Sequence, residues 1–331
     1  MSSYEVLLLT PHDVAVLLTM DDCIAAVENA FRQHGEGRAQ PPGVLSMHVH
    51  GGGFHVKAGV LSLSRQYFAA KVNGNFPDNR TRFGLPTIQG VIVLCDAENG
   101  APLAIMDSSE ITALRTAAAT GVAAKHLARK DSRTLTICGC GTQAYMQVKA
   151  VTRVCEIEKV LTYDKDSSAA SRLALKLSSE MHVAAAPVHD LAEASLQGDI
   201  CVTCTTSQKA LLGPNEVRPG TFIAAVGADN PAKQEIDVAL MTRSKVVADV
   251  LEQCAVMGDL HHALEAGVMV RSEAHAELGE IVAGKKPGRE SDEEIIVFDS
   301  TGMALQDVAA AADAYEKGVS RGVGVRLNFA A

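Results

Sequence analysis

The feature that most constrains the fold of this chain is the stretch Leu135-Thr136-Ile137-Cys138-Gly139-Cys140-Gly141-Thr142-Gln143-Ala144-Tyr145. A β-branched, apolar run enters a Gly-x-Gly-x-x-Ala turn, and residues 145–154 then carry apolar side chains at helical spacing, which reads as strand, tight turn and helix. The small residues serve separate ends. Gly139 permits the sharp turn, Gly141 lets backbone approach a pyrophosphate, and Ala144 lets helix and strand pack closely. An anion would then meet the unpaired N–H groups at the helix N-terminus. Taken alone, such a turn is equally compatible with a purely structural bend. The reading narrows with Val160-Leu161-Thr162-Tyr163-Asp164, a second short apolar strand that ends in an acid about 20 residues beyond the turn. A carboxylate there accepts hydrogen bonds from a ribose diol and repels a 2′-phosphate, so the pair points to NAD rather than NADP.

The rest of the chain divides around this motif. At 331 residues two domains are expected. From Thr134 onward strands (134–138, 159–163, 199–204, 221–226, 245–249 and 294–298) alternate with helices, the pattern of a doubly wound parallel sheet and an α/β fold. Upstream, residues 10–36 read as two helices, one opening after Thr10 and one after Met20, ended by Gly35, Gly37 and Pro41-Pro42. Short runs at 44–49, 54–58, 67–72 and 87–94, with turns at Gly51-Gly52-Gly53 and Asn79–Gly84, predict an antiparallel or mixed sheet. Ser108 or Ser109 is expected to cap an Ala-rich helix from about Glu110 to Leu127. Arg115 lies inside it, a cation that is costly to bury without a partner. The stretch 304–315 reads as a helix that returns to the first domain. Residues 1–122 with 304–331 would thus form an α+β domain and residues 123–303 the dinucleotide-binding one.

Composition excludes several classes. The balance of 30 basic and 39 acidic residues gives −9, with no cluster of Lys and Arg and no tryptophan, which speaks against nucleic acid or anionic membrane as partner. Eight cysteines sit mostly in apolar segments, as buried, reduced thiols do, and no segment has the length or flanks of a signal or membrane span; a cytoplasmic protein is expected. Cys201-x-x-Cys204 has no second pair to complete a zinc site. His48 and His50 would share a strand face near His55, but no acid or Cys joins them locally, and no metal is expected.

Five ordered motifs carry a resemblance: Lys71-Val72-Asn73-Gly74, Thr112 through Ala118, Gly139 through Ala144, Val226-Gly227-Ala228-Asp229 with Lys233-Gln234-Glu235, and Phe298-Asp299-Ser300-Thr301-Gly302. Together they resemble the ornithine cyclodeaminase and μ-crystallin family over essentially the whole chain, and within it the archaeal type of alanine dehydrogenase. The resemblance implies a homodimer and a substrate-and-dimerisation domain into which a Rossmann domain is inserted. It implies cofactor contacts from Thr87, Arg115, Thr116, Gly139, Gly141, Thr142, Gln143, Ala144, Asp164, Thr205, Val226, Gly227, Lys233 and Ser300. It also implies that a small amino or imino acid lies between Lys71 and Arg115 on one side and the nicotinamide on the other.

The expected chemistry is interconversion of amino and imino acid by hydride transfer, with Asp229 stabilising the iminium and moving a proton to or from nitrogen, and with Lys71 and Arg115 on the carboxylate. Two departures from the family pattern bear on the substrate. Gly43 stands where members commonly have a basic residue, and Lys57 stands where cyclodeaminases carry the acid that meets ornithine's distal amine. Lys57 therefore favours an NAD(H)-dependent amino-acid dehydrogenase or cyclic-imine reductase. Two alternatives remain at this level: a cyclodeaminase-type lyase that uses NAD catalytically, and a binding protein without enzymatic activity.

Overall fold

The computed structural model describes residues 5–40 and 42–329. Pro41, one of the expected helix terminators, and the chain ends expected in the first domain lie outside the described residues. Two compact units emerge. One contains the chain up to Arg115 together with the chain from Met303, and the other runs Thr116–Gly302.

In the first unit β1 (Glu5–Leu9) leads into α1 (Pro11–Leu17) and α2 (Met20–Gly35). Each helix opens with a reciprocal capping box, Thr10 with Asp13 and Thr19 with Asp22. The second cap therefore sits one residue earlier than the acids Asp21 and Asp22 alone indicate. Then come β2 (Gly43–Val49), β3 (Gly52–Ser62), β4 (Gln66–Asn75), the short α3 (Asn79–Phe83), β5 (Ile88–Asp96) and β6 (Pro102–Asp107). With the closing strand Val325–Asn328 they form one sheet in the order closing strand, β1, β6, β5, β4, β3, β2. It is mixed because β1 runs parallel to β6 while the other pairs are antiparallel. The turn expected at Asn79–Gly84 is this helical turn, ended by Gly84 in the left-handed region.

The long helix α4 (Ser108–Leu127) starts in the first unit and ends in the second. Its cap is Asp107 rather than a serine: Asp107 Oδ1 accepts the N–H groups of Ser109 and Glu110 at 2.8 and 2.9 Å. The closing helix Ala304–Arg321 lies on the first unit's sheet, where a Cβ on Gly59 would come within 2.8 Å of Leu305.

The second unit is a doubly wound α/β domain. Its strands are β7 (Thr134–Cys138), β8 (Lys159–Tyr163), β9 (Ala184–Pro187), β10 (Ile200–Thr203), β11 (Gln208–Leu212), β12 (Phe222–Ala225), β13 (Gln234–Ile236), β14 (Lys245–Ala248), β15 (Ala276–Glu277) and β16 (Ile296–Asp299). Eight of them build a sheet in the order β15, β14, β16, β12, β10, β7, β8, β9, every pair parallel. The remaining two, β11 and β13, pair separately. Strand order reverses between β7 and β10, and in such sheets ligands bind beyond the carboxyl ends at that switch point. No helix among the described residues is long and apolar enough to cross a membrane.

Candidate active site

The Gly-rich turn sits at the end of β7 and opens α5 (Thr142–Val154). Gly139 has φ +93°, and a Cβ there would stand 2.8 Å from the Thr205 side chain and 2.9 Å from the Cys204 carbonyl, so only glycine fits. Gly141 is different: a Cβ would meet nothing within 4 Å, because the residue faces open space. It is also the N-cap of α5 and brings no side chain to the helix start, where the Ala144 N–H meets the Gly141 carbonyl at 3.2 Å and the end of the helix dipole favours an anion. Ala144, in the first turn of α5, is fully buried.

The open space is a cleft of about 290 Å³ lined by Cys138, Gly139, Gly141, Tyr163, Asp164, Lys165 and the loop from Cys204 to Ser207. Asp164 is fixed at its edge, its carboxylate accepting the N–H of Cys140 at 2.7 Å and that of Asp166 at 2.9 Å. Thr142 and Gln143 form the first turn of α5. The open face of Gly141, the uncapped helix start and the pinned acid fit a dinucleotide: pyrophosphate at the helix, ribose diol at Asp164. The cysteines around the turn are free thiols. Burial pushes Cys201 and Cys140 up to about 12, so neither is a ready thiolate or metal ligand.

The other expected cofactor residues of this unit lie beyond β12 and β16. Val226 and Gly227 follow β12. Asp229 is exposed on the next loop and pairs with Lys233 at 2.7 Å. Ser300 follows β16, is buried, and donates to Asp249 at 3.3 Å. Thr116, half-buried, comes immediately after Arg115 on α4, and Thr87 belongs to the first unit, just before β5 rather than within it.

The first unit brings Lys71, Arg115 and Lys57 together. Lys71 on β4 is 4% exposed, so it is not a surface strand residue, and Arg115 on α4 is 5% exposed. Both turn to one carboxylate, that of Asp307 on the closing helix: Lys71 Nζ and Arg115 Nε each donate to Oδ1 at 2.9 Å. Arg115 also donates to Gln306 Oε1 at 2.9 Å, and Lys71 to Thr112 Oγ1 at 3.3 Å. Asp307 Oδ2 and Gln306 Nε2 are buried with no hydrogen-bond partner among the described residues, the signature of a cluster shaped around something besides itself. Lys57 is directly opposite Lys71 in the β3/β4 register, half-buried on the same face.

The electrostatics of the cluster are uneven. Burial, Arg115 and Lys57 bring Lys71 down to about 7 in spite of Asp307, while Arg115 and Lys71 hold Asp307 below the usual carboxylate range in spite of its burial. The two shifts pull the ion pair opposite ways, and the permanent charge of Arg115 reconciles them: it keeps Asp307 ionised whether or not Lys71 carries its proton.

Asp307 and Gln306 escaped the sequence reading, which took the closing helix for a plain apolar stripe. The one signal was an adjacent amide and acid within a run of alanines. The expected shared strand face of His48 and His50 is not formed, since β2 ends at Val49 and leaves His50 in the turn, while His55 pairs with Ser46 at 3.1 Å. No group of three metal-binding side chains occurs among the described residues. His261 and His262 lie within the helix Asp259–Glu265, and His262 Nε2 meets the Lys233 carbonyl at 2.7 Å.

Comparison with known proteins finds relatives over nearly the whole chain. The family model described as ornithine cyclodeaminase/mu-crystallin matches residues 4–322. An archaeal alanine dehydrogenase dimer with bound NAD superposes with TM-score 0.92 at 41% identity, covering 98% of this chain and 99% of the other. The Δ1-pyrroline-2-carboxylate reductase of Thermococcus litoralis, in complex with NADH and L-proline, gives 0.91 at 37% identity over 97% and 99%. The iminosuccinate reductase of Paracoccus denitrificans, in complex with NAD+, gives 0.89 at 31% identity over 98% and 99%.

Proposed function

The chain belongs to the ornithine cyclodeaminase/mu-crystallin family, and from that premise we propose that it is an NAD(H)-dependent oxidoreductase acting on the C–N bond of a small amino or imino acid. The observation that carries this reading is the buried Lys71–Asp307–Arg115 cluster with Lys57 beside it. A cation facing ornithine's distal ammonium is unfavourable, so the same cluster argues against a cyclodeaminase. The relatives with NAD or NADH act on alanine, a cyclic imine and an imino dicarboxylate, the same reaction class on different side chains.

NAD, bound in the cleft at α5, supplies the hydride acceptor or donor. Arg115 presents a planar fork that matches a carboxylate, and Lys71 adds a second donor. Lys71, titrating near neutrality, can also hold or give up a proton at Nζ. Asp229 is our choice for the carboxylate that faces the developing iminium. Its carboxylate accepts a hydrogen bond from Lys233 Nζ at 2.7 Å within the same loop. We place the protein in the cytoplasm, where its free thiols stay reduced, and as a homodimer like its archaeal relative.

Replacing Lys57 by Glu tests the assignment. The variant is expected to lose most imine-reducing or keto-acid-aminating activity, while NADH binding, measured separately, stays near that of the wild type. A Lys57→Glu protein with unchanged kinetics would remove this lysine from the site.

A further inference from the structure

Glu235 closes the Lys233-Gln234-Glu235 motif. Its side chain is 0% exposed. Oε1 accepts the N–H and the hydroxyl of Thr205 at 2.6 and 2.7 Å, and Oε2 accepts the Thr203 hydroxyl at 2.7 Å and the Gly227 N–H at 2.8 Å. Four donors meet the four acceptor sites a carboxylate offers. Two of these donor residues stand at the end of β10, and the third just past β12. Gly227 is glycine because the carboxylate fills the space beside it: a Cβ would fall 2.4 Å from Glu235 Oε1 and 2.5 Å from the Thr205 carbonyl. Glu235 is held in turn, since its own N–H donates to Asp259 Oδ1 at 2.7 Å.

The consequence is a closed loop. Residues 227 and 235 are joined through the carboxylate, and Asp229 rides on the segment between them. The same carboxylate fixes Thr205, which lines the dinucleotide cleft. We infer that Glu235 is a positioning residue that sets both the Thr205 wall of the cofactor cleft and the base of the loop presenting Asp229. This rests on the function proposed above, in which Asp229 handles the proton.

The test compares Glu235→Gln and Thr203→Val with the wild type, measuring NADH affinity by fluorescence titration and steady-state kcat and KM at saturating NADH, well below each protein's melting temperature. In Glu235→Gln one acceptor oxygen becomes an NH2 that faces two donors. NADH affinity is expected to fall roughly 10- to 100-fold and kcat at least tenfold, while KM for the amino or imino acid stays within about threefold because Lys71 and Arg115 belong to the other unit. Thr203→Val is nearly isosteric, removes one donor outside the cleft, and should show the same pattern at roughly fivefold. If Glu235→Gln fails to fold, the valine variant decides. Variants with lowered melting temperature but NADH affinity and kcat within twofold of wild type would reduce Glu235 to a structural residue and overturn the inference. A wild type that binds NADH but turns over no amino or imino acid would sink the functional reading instead, while the loss of NADH affinity would still report on the Thr205 wall.

Discussion

In the first unit a single carboxylate, Asp307, answers two buried cations, whereas in the second unit Glu235, Asp259, Asp299 and Asp249 are held largely by backbone N–H groups and hydroxyls. Glu235 N–H donates to Asp259, Asp259 N–H to Asp299, and Asp249 gathers the Gly302 N–H with the Ser300 and Thr301 hydroxyls. These four carboxylates are structural acceptors that tie together the ends of strands in the second unit. The charges of the first unit are aimed at one another, Lys71 and Arg115 both at Asp307, and on the proposed function a substrate carboxylate would join them. Binding chemistry and architectural chemistry thus use the same residue types with different partners.

The largest effect should come from breaking the ion cluster. Asp307→Asn leaves two buried cations without a counter-charge, and removing one partner from such a group costs about 3–5 kcal/mol. Chemical denaturation is expected to register that loss, together with near-complete loss of activity. Arg115→Lys keeps the charge and loses the fork, so it should fold, raise KM for the amino or imino acid by one to two orders of magnitude, and leave NADH affinity nearly unchanged. Normal kinetics in Arg115→Lys would remove the cluster from the substrate site.

The two regions should also respond to pH with opposite sign. Burial and neighbouring Glu235 raise Asp259 from 3.8 to about 7, so the folded state binds more protons than the unfolded one between those values, and stability falls as pH rises through that window. Lys71 is lowered from 10.5 to about 7, so the unfolded state binds more protons there, and stability rises with pH from about 7 to 10.5. Melting temperatures across pH should show both slopes. Asp259→Asn is expected to flatten the lower limb and leave the upper one, and Lys71→Met to do the reverse. An unaltered lower limb in Asp259→Asn would mean that other groups set it.

Legibility in the sequence followed the same division. The turn at Gly139, Gly141 and Ala144, the acid at Asp164 and the parallel strands were readable because local spacing encodes them. The strands β9 (Ala-Ala-Ala-Pro), β11 (Gln-Lys-Ala-Leu-Leu), β13 (Gln-Glu-Ile) and β15 (Ala-Glu) were not, because they lack the β-branched or aromatic apolar run that marks the other, equally short strands of the main sheet. Asp307 looked like a helix residue until packing placed it against β4 and α4. Glu235 drew its four donors from residues 203, 205 and 227, which no window of the chain brings together. At the α4 cap, the ionised Asp107 took the N–H groups that the neighbouring serines seemed placed to receive. Lys57 was singled out only by the family resemblance, and the strand register puts it directly opposite Lys71.

The smallest expected effect concerns the nucleotide. Asp164→Ser removes the carboxylate that faces a 2′-phosphate and leaves Lys165 on the cleft wall. Wild type should prefer NADH over NADPH by roughly 5- to 150-fold, and the variant should narrow that gap, as competitive titration of both nucleotides would show. Equal wild-type affinities would contradict the role given to Asp164.

One assay bears most directly on the central claim: NADH consumption and product formation followed together, with purified protein, over a panel of keto acids with ammonia, cyclic imines and ornithine. The account predicts one NADH oxidised per amino acid formed from at least one imino or keto acid, and little conversion of ornithine. Efficient release of ammonia from ornithine with no net change in NADH would contradict it and identify a lyase.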